Sequence, residues 1–207
     1  MLSMRRSAQL GLVVSCLILF FALSVLAVQA RQNYLPGTLP PAELGAAFHL
    51  RGPDGSSVAS QQFRGRTTVL YFTSLRCPVT QEYNQRMSEL ARRYAGNAEV
   101  AFVAIECADA SAGDVTRDAH AAGRTFPTAL DPSGGVARAY GVRVTPTLVI
   151  LDPAGMVRYH GAFDDDRNAA QAQQQYCDEA IRYVLRGRQP TVSSTQAFGC
   201  RINGTPK

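Results

Sequence analysis

The chain has 207 residues, 46% of them hydrophobic and 18% charged, with a formal net charge of +5. That is enough apolar material for one domain of ordinary size, and too few charges, with no run of five alike, for a disordered chain. The positive charge is scattered, with no basic stripe interleaved with aromatics, which argues against a nucleic-acid partner; the five cysteines are too few for a disulfide-scaffold miniprotein but enough for redox chemistry.

Residues 1–30 read as a signal peptide or an N-terminal membrane anchor. Arg5 and Arg6 precede an uncharged run over residues 10–28, and Val28-Gln29-Ala30 is small enough at the key positions for signal cleavage. The run is long for a signal core and just long enough to span a bilayer, so cleavage and anchoring both stay open. Val13-Val14-Ser15-Cys16 also resembles a lipoprotein box, but cleavage there would leave an apolar stretch on the mature end. In each reading the two arginines stay inside and the rest is exported, to a periplasmic or other extracytoplasmic space, free or held at the inner membrane by residues 10–28. Cys77, Cys107, Cys177 and Cys200 then face an oxidising compartment.

Residues 31–44, with Pro36, Gly37, Pro40 and Pro41, read as a linker ahead of a domain over residues 45–188. Residues 46–50 suit a short strand. Pro53-Asp54-Gly55 signals a turn, and residues 58–64 a second strand or a short helical piece. The β-branched and aromatic run 67–73 predicts a buried strand. From Pro78 to Tyr94 the period turns helical, with Val79, Tyr83, Met87, Leu90, Ala91 and Tyr94 on one face, Pro78 at the first helical position and Gly96 at the end. Residues 99–105 predict another buried strand and 112–122 a weaker helix closed by Gly123. Residues 126–130 read as a strand, and Asp131-Pro132 opens a helix ending at Gly141. Residues 147–151 and 156–163 predict strands around the hairpin turn Pro153-Ala154-Gly155. Residues 167–185 predict a long helix with Ala170, Tyr176, Cys177, Ala180, Ile181, Val184 and Leu185 toward the core. Residues 189–207 read as an irregular polar tail that holds Cys200. This order predicts an α/β sandwich: a central mixed sheet, parallel crossovers plus a terminal antiparallel hairpin, flanked by helices. Thr145-Pro146, directly before a strand, has the form of a cis-proline turn.

Cys77 stands where a buried strand passes into the first turn of an amphipathic helix. Unpaired N–H groups and the positive helix end favour an anion there, which lowers a thiol's pKa, and Arg76 adds a charge beside it. A buried, inert cysteine is the other reading. Cys107, at a strand end, and Cys177, on the last helix's apolar face, read as core or as a structural pair. Asp164-Asp165-Asp166 reads as a solvated loop, with Asp165 or Asp166 able to cap the following helix. His49, His120 and His160 share no ligand spacing, so no metal is expected, and Tyr159-His160 is expected to face solvent.

In order, Val69-Leu-Tyr-Phe-Thr-Ser-Leu-Arg-Cys-Pro78, Phe126-Pro127, residues 131–142, residues 144–152, residues 159–165 and Gly199-Cys200-Arg-Ile202 resemble the thioredoxin-like superfamily. Within it they resemble the redoxin (alkyl hydroperoxide reductase/thiol-specific antioxidant) family, and an exported bacterial subgroup with a Cys-Pro turn and a C-terminal Gly-Cys. The resemblance covers residues 40–203. It implies a thioredoxin-like fold and an exported thiol-dependent oxidoreductase, an enzyme that reduces a peroxide or exchanges with a protein disulfide, with Cys77 as its reactive thiol. Ser74 and Cys77-Pro78 match the redoxin turn; the proline expected seven residues before the cysteine is replaced by Leu70. Ser74 also stands where thioredoxins carry their first cysteine, so the turn cannot close a local disulfide. Thr145-Pro146 matches the thioredoxin cis-proline and is expected within about 8 Å of Cys77, at a sheet-end turn. Arg143 is the nearest candidate cation. The implied catalytic set is Cys77, Cys200, Ser74, Arg76, Thr145 and Pro146. With the turn lacking a second cysteine, and Cys107 and Cys177 on packed elements, Cys200 is the expected redox partner; the same geometry would serve a permanent staple. No nucleotide loop or haem motif is present, so no cofactor is expected and reducing equivalents would come from a protein or small-molecule thiol. The competing reading is a non-catalytic binding or structural module with Cys77 in a permanent disulfide.

Overall fold

The computed structural model describes residues 43–202. The signal or anchor segment, the lipoprotein-like box and all but the end of the linker lie outside the described residues. Strands β3 (Thr67–Thr73) and β4 (Val100–Glu106) are buried along their whole length. Such runs have no polar face, so they form the centre of a sheet covered on both sides. They pair in parallel, from Thr67 opposite Val100 to Thr73 opposite Glu106. Strand β5 (Thr128–Leu130) continues the parallel side of β4, and β1 (His49–Arg51) and β2 (Ser57–Ala59) complete that edge as an antiparallel hairpin. Beyond β3 lie the antiparallel β7 (Thr147–Leu151) and β8 (Val157–Gly161), giving the order β2-β1-β5-β4-β3-β7-β8.

Period two sends alternate side chains of β3 into two separate cores. Val69 and Tyr71 face helices α1 (Pro78–Arg93) and α4 (Tyr176–Leu185), meeting Tyr83, Met87, Leu90 and Ile181. Leu70 and Phe72 face the other side, meeting Ala137 of the short α3 (Gly135–Ala139), Tyr140 and Val142. Helix α2 (Ala112–Ala121) buries only Val115. Each of these large apolar side chains contributes roughly 1.5–3 kcal/mol on burial, and the two-sided core fixes the register on which the site depends.

Three expectations are corrected. The long helix over 167–185 begins only at Tyr176. Upstream, side chains capture the backbone: Asp166 accepts from Asn168 N, Asn168 from Ala170 N, and Asp165 from both Gln173 N and Gln174 N. Such local bonds compete with helix formation, so Asp165 and Asp166 hold a loop rather than cap a helix, and Ala170 is exposed. Tyr159 and His160 are buried, not solvated. The tail runs along the β8 edge, with His160 N donating to Ser193 O (3.1 Å) and Thr195 N to His160 O (3.1 Å). Thr195 Oγ1 meets the Tyr159 hydroxyl at 2.7 Å and accepts from Ala162 N at 2.9 Å. Burial pushes the His160 imidazole down to about 4. The tail is therefore docked, and glycine permits it: a Cβ on Gly161 would overlap Thr195. Among the described residues no helix is long and apolar enough to cross a membrane.

Candidate functional site

The polypeptide leaves β3 at Thr73 and turns through Ser74, Leu75 and Arg76 into α1. Cys77 N donates to Ser74 O (2.9 Å) and closes the turn; Cys77 O then accepts from Gln81 N (3.2 Å), the first bond of the helix. Cys77 is thus the N-cap residue, in extended conformation, followed by Pro78 at the first helical position. Arg76 N donates to Ser74 Oγ at 3.3 Å. Leu75 N donates to Glu106 Oε1 at 3.1 Å, which ties the turn to the end of β4.

Facing this turn is the peptide bond between Thr145 and Pro146, which is cis. It joins β6 (Val144–Thr145) to β7. The Cys77 thiol donates to Thr145 O at 3.0 Å. The tail then returns as β9 (Cys200–Arg201), antiparallel to β6, with Thr145 opposite Cys200 and Val144 opposite Arg201. Ile202 N donates to Arg143 O at 3.0 Å. Gly199 lies directly on the Thr145 carbonyl, where a Cβ would overlap it. This places Cys200 opposite Thr145, whose carbonyl accepts the Cys77 thiol, and so makes the two cysteines neighbours at the site.

Burial alone would raise the Cys77 pKa. The neighbouring polar groups of Cys200 and Thr80 outweigh it, and the thiol lies below its ordinary value. Cys200, beside Cys77 and partly desolvated, is raised. Burial pushes Cys107 well up, and Cys177 up as well. Cys107 belongs to the core on the α3 side and Cys177 to the core on the α1 and α4 side, so the sheet separates them and they are core residues rather than a structural pair.

The residues singled out in the sequence divide accordingly. Cys77 meets Thr145, Cys200 pairs opposite Thr145, Pro146 follows across the cis bond, and Ser74 closes the turn. Arg76 is exposed, on the rim of a narrow cleft of about 50 Å³ shared with Ser74, Cys107, Thr145 and Arg201. Arg143 contributes its carbonyl to the tail. Three further features carried no clear sequence signal. Thr80 sits three residues past the N-cap, buried, with no hydrogen-bond partner for its hydroxyl among the described residues. Arg167 grips Glu82 of α1 with two bonds, at 3.0 and 2.6 Å, and its charge acts on Cys200. Asp164 is buried rather than solvated: it pairs with Arg86 at 2.7 Å and accepts from the Tyr83 hydroxyl at 2.7 Å. Among the described residues no three histidines, cysteines or acids cluster as metal ligands would.

Glu106 is the odd member of an otherwise apolar strand. Burial pushes its carboxyl up to about 7, against the backbone N–H groups of Ala108 and Leu75. The fold holds this proton more tightly than the unfolded chain does. Stability is therefore full below the ordinary carboxylate range and is lost as pH rises through 7. Glu106→Gln keeps the acceptor for Leu75 and should leave stability at pH 4.5 unchanged while adding up to about 3 kcal/mol at pH 8. Urea titrations at the two pH values check this, and equal effects at both would refute it.

The model of the AhpC/TSA family matches residues 42–160. No curated protein matches the chain. Among solved structures, a hypothetical protein from Sinorhizobium meliloti 1021 is 28% identical, with a TM-score of 0.75 over 82% of this chain and 97% of that one. An uncharacterized conserved protein from Geobacillus kaustophilus is 27% identical, with a TM-score of 0.74 over 81% and 94%. A secreted Mycobacterium tuberculosis disulfide oxidoreductase is 23% identical, with a TM-score of 0.52 over 67% and 95%, and shares the thioredoxin-like fold.

Proposed function

Because the chain belongs to the AhpC/TSA family, we propose that it is an exported thiol oxidoreductase in which Cys77 and Cys200 cycle between dithiol and disulfide. The observation that carries this reading is the juxtaposition: the Cys77 thiol donates to Thr145 O at 3.0 Å, Cys200 pairs opposite Thr145, and the Cys77 pKa lies below the ordinary thiol value. The charged run-in at Arg5 and Arg6 and the apolar run over residues 10–28 support export.

With a hydroperoxide as oxidant, the Cys77 thiolate attacks the terminal peroxide oxygen. The O–O bond breaks, the sulfur becomes a sulfenic acid, and the alcohol leaves after taking a proton. The Cys200 thiol then attacks that sulfur, forming the disulfide and releasing water. With a disulfide as oxidant, the thiolate forms a mixed disulfide and expels a thiolate, and Cys200 displaces the second half. An external thiol, carried by a protein or a small molecule, returns the pair to the dithiol. Ser74 fixes the turn, Thr145 and Pro146 hold the sulfur against Cys200, and Thr80 stabilises the thiolate.

In the reduced protein, an alkylating probe swept across pH should label Cys77 at lower pH than Cys107 or Cys177, and Thr80→Val should move the Cys77 profile to higher pH and slow its labelling severalfold near neutrality. Coincident profiles for the three cysteines would reject Cys77 as the reactive thiol. The rival, a permanent Cys77–Cys200 staple in a binding module, draws on the near-complete burial of Cys77. It predicts a bridge that resists mild thiol reduction, which peptide mapping before and after treatment distinguishes.

A further inference from the structure

We propose that the docked tail is a size filter: strand β9 admits small oxidants to Cys77 and excludes disulfides carried on proteins. The proposal rests on the reading of Cys77 as the reactive thiol. Thiol–disulfide exchange brings three sulfurs nearly into line, so the attacked disulfide must reach the thiolate together with its flanking backbone. Cys77 is only 1% exposed. The Thr145 carbonyl lies on it at 3.0 Å, and β9 brings Cys200 in opposite Thr145.

The ground a partner chain would need is also taken. An extended segment carrying a cysteine would dock by pairing with the free backbone edge of β6, beside the sulfur. That edge already pairs with this chain's own Cys200 and Arg201, and Ile202 N fills the next acceptor at Arg143 O. The strap is anchored on both sides of Cys200. Phe198 packs edge-on against Tyr83, at 6.1 Å between ring centroids, and Ile202 is buried in the core beside α3. Gly199 lets the strap lie flat on Thr145. What stays open beside the turn is a narrow cleft of about 50 Å³ whose lining includes Ser74, Arg76, Thr145 and Arg201, with room for the reactive end of a small molecule and none for a protein segment.

The test keeps the full chain and removes only the second thiol, so that the first step is read alone. In a Cys200→Ser background, hydroxyethyl disulfide and insulin serve as the small and the protein-borne disulfide, and the mixed disulfide on Cys77 is timed by mass spectrometry. Adding Gly199→Val, whose side chain cannot lie against Thr145, should raise the insulin rate about tenfold or more by opening the strap. The small reagent should change by less than about twofold. Ile202→Asp loosens the other anchor and should act the same way, which guards against one variant failing to fold. A parallel rise with both reagents, or no rise with insulin in either variant, overturns the filter. No mixed disulfide with hydroxyethyl disulfide in any of the proteins overturns the reading of Cys77 beneath it.

Discussion

Replacing Cys200 with serine should lower peroxide-dependent thiol turnover on the order of 100-fold while leaving the first oxidation of Cys77 intact. The reason is proximity. A thiol held opposite Thr145, the residue whose carbonyl accepts the Cys77 thiol, has an effective concentration far above that of any free thiol in solution. Without it, the sulfenic acid must wait for an external collision and can be oxidised further. The wild-type protein given one equivalent of peroxide should yield one new intramolecular bridge, between Cys77 and Cys200, that a mild thiol reverses. The variant should yield sulfenic acid and its over-oxidised products instead. Unchanged turnover in the variant, with the same oxidised species, would show that Cys200 takes no part.

Arg86→Ala should destabilise the protein by about 3–5 kcal/mol. Arg86 pairs with Asp164 at 2.7 Å, donates to Asp166 O at 2.9 Å and to Arg167 O, and lies over the Tyr83 ring at 4.4 Å. Asp164 is 1% exposed. Truncating Arg86 leaves that carboxylate in the core with the Tyr83 hydroxyl as its remaining side-chain partner, and it frees the loop that presents Arg167. For a domain of this size the loss corresponds to a fall in Tm of about 10 °C. Arg86→Lys should recover only part of it, because an ammonium cannot reproduce the guanidinium fork. Thermal unfolding measures both, and a shift in Arg86→Ala below about 2 °C would mean that the pair contributes little.

The elements nearest Cys77 were legible in the sequence because their signals are local. A β-branched and aromatic run gives β3, a period of three to four gives α1, and Cys77-Pro78 marks the junction where the cysteine becomes the N-cap. The mixed sheet follows from element order. The approach of Thr145 to Cys77 was legible only through the resemblance, since 68 residues separate them. What stayed hidden is non-local and polar. Three adjacent aspartates look solvated until Arg86, 78 residues before Asp164, is folded against them. Tyr159 and His160 look exposed because the segment that covers them has no apolar period: it docks through backbone bonds, one threonine and two glycines, none of which a hydrophobic pattern records. The helix over 167–185 failed because side-chain acceptors near its start outcompeted the helical bonds, a contest that periodicity does not see.

The separation of the remaining cysteines has a bearing on how the chain matures. If the domain is exported as proposed, its four thiols meet an oxidising space and can be mispaired in several ways before folding ends. Any bridge that captures Cys107 or Cys177 pulls a residue out of one of the two apolar cores, which then cannot close around it. Misoxidised molecules would be trapped open and readily reshuffled, whereas the proposed Cys77–Cys200 bridge would leave both cores shut. On that reading packing would proofread the oxidation, and only chains whose sheet is covered on both faces would leave the process with a usable thiol pair.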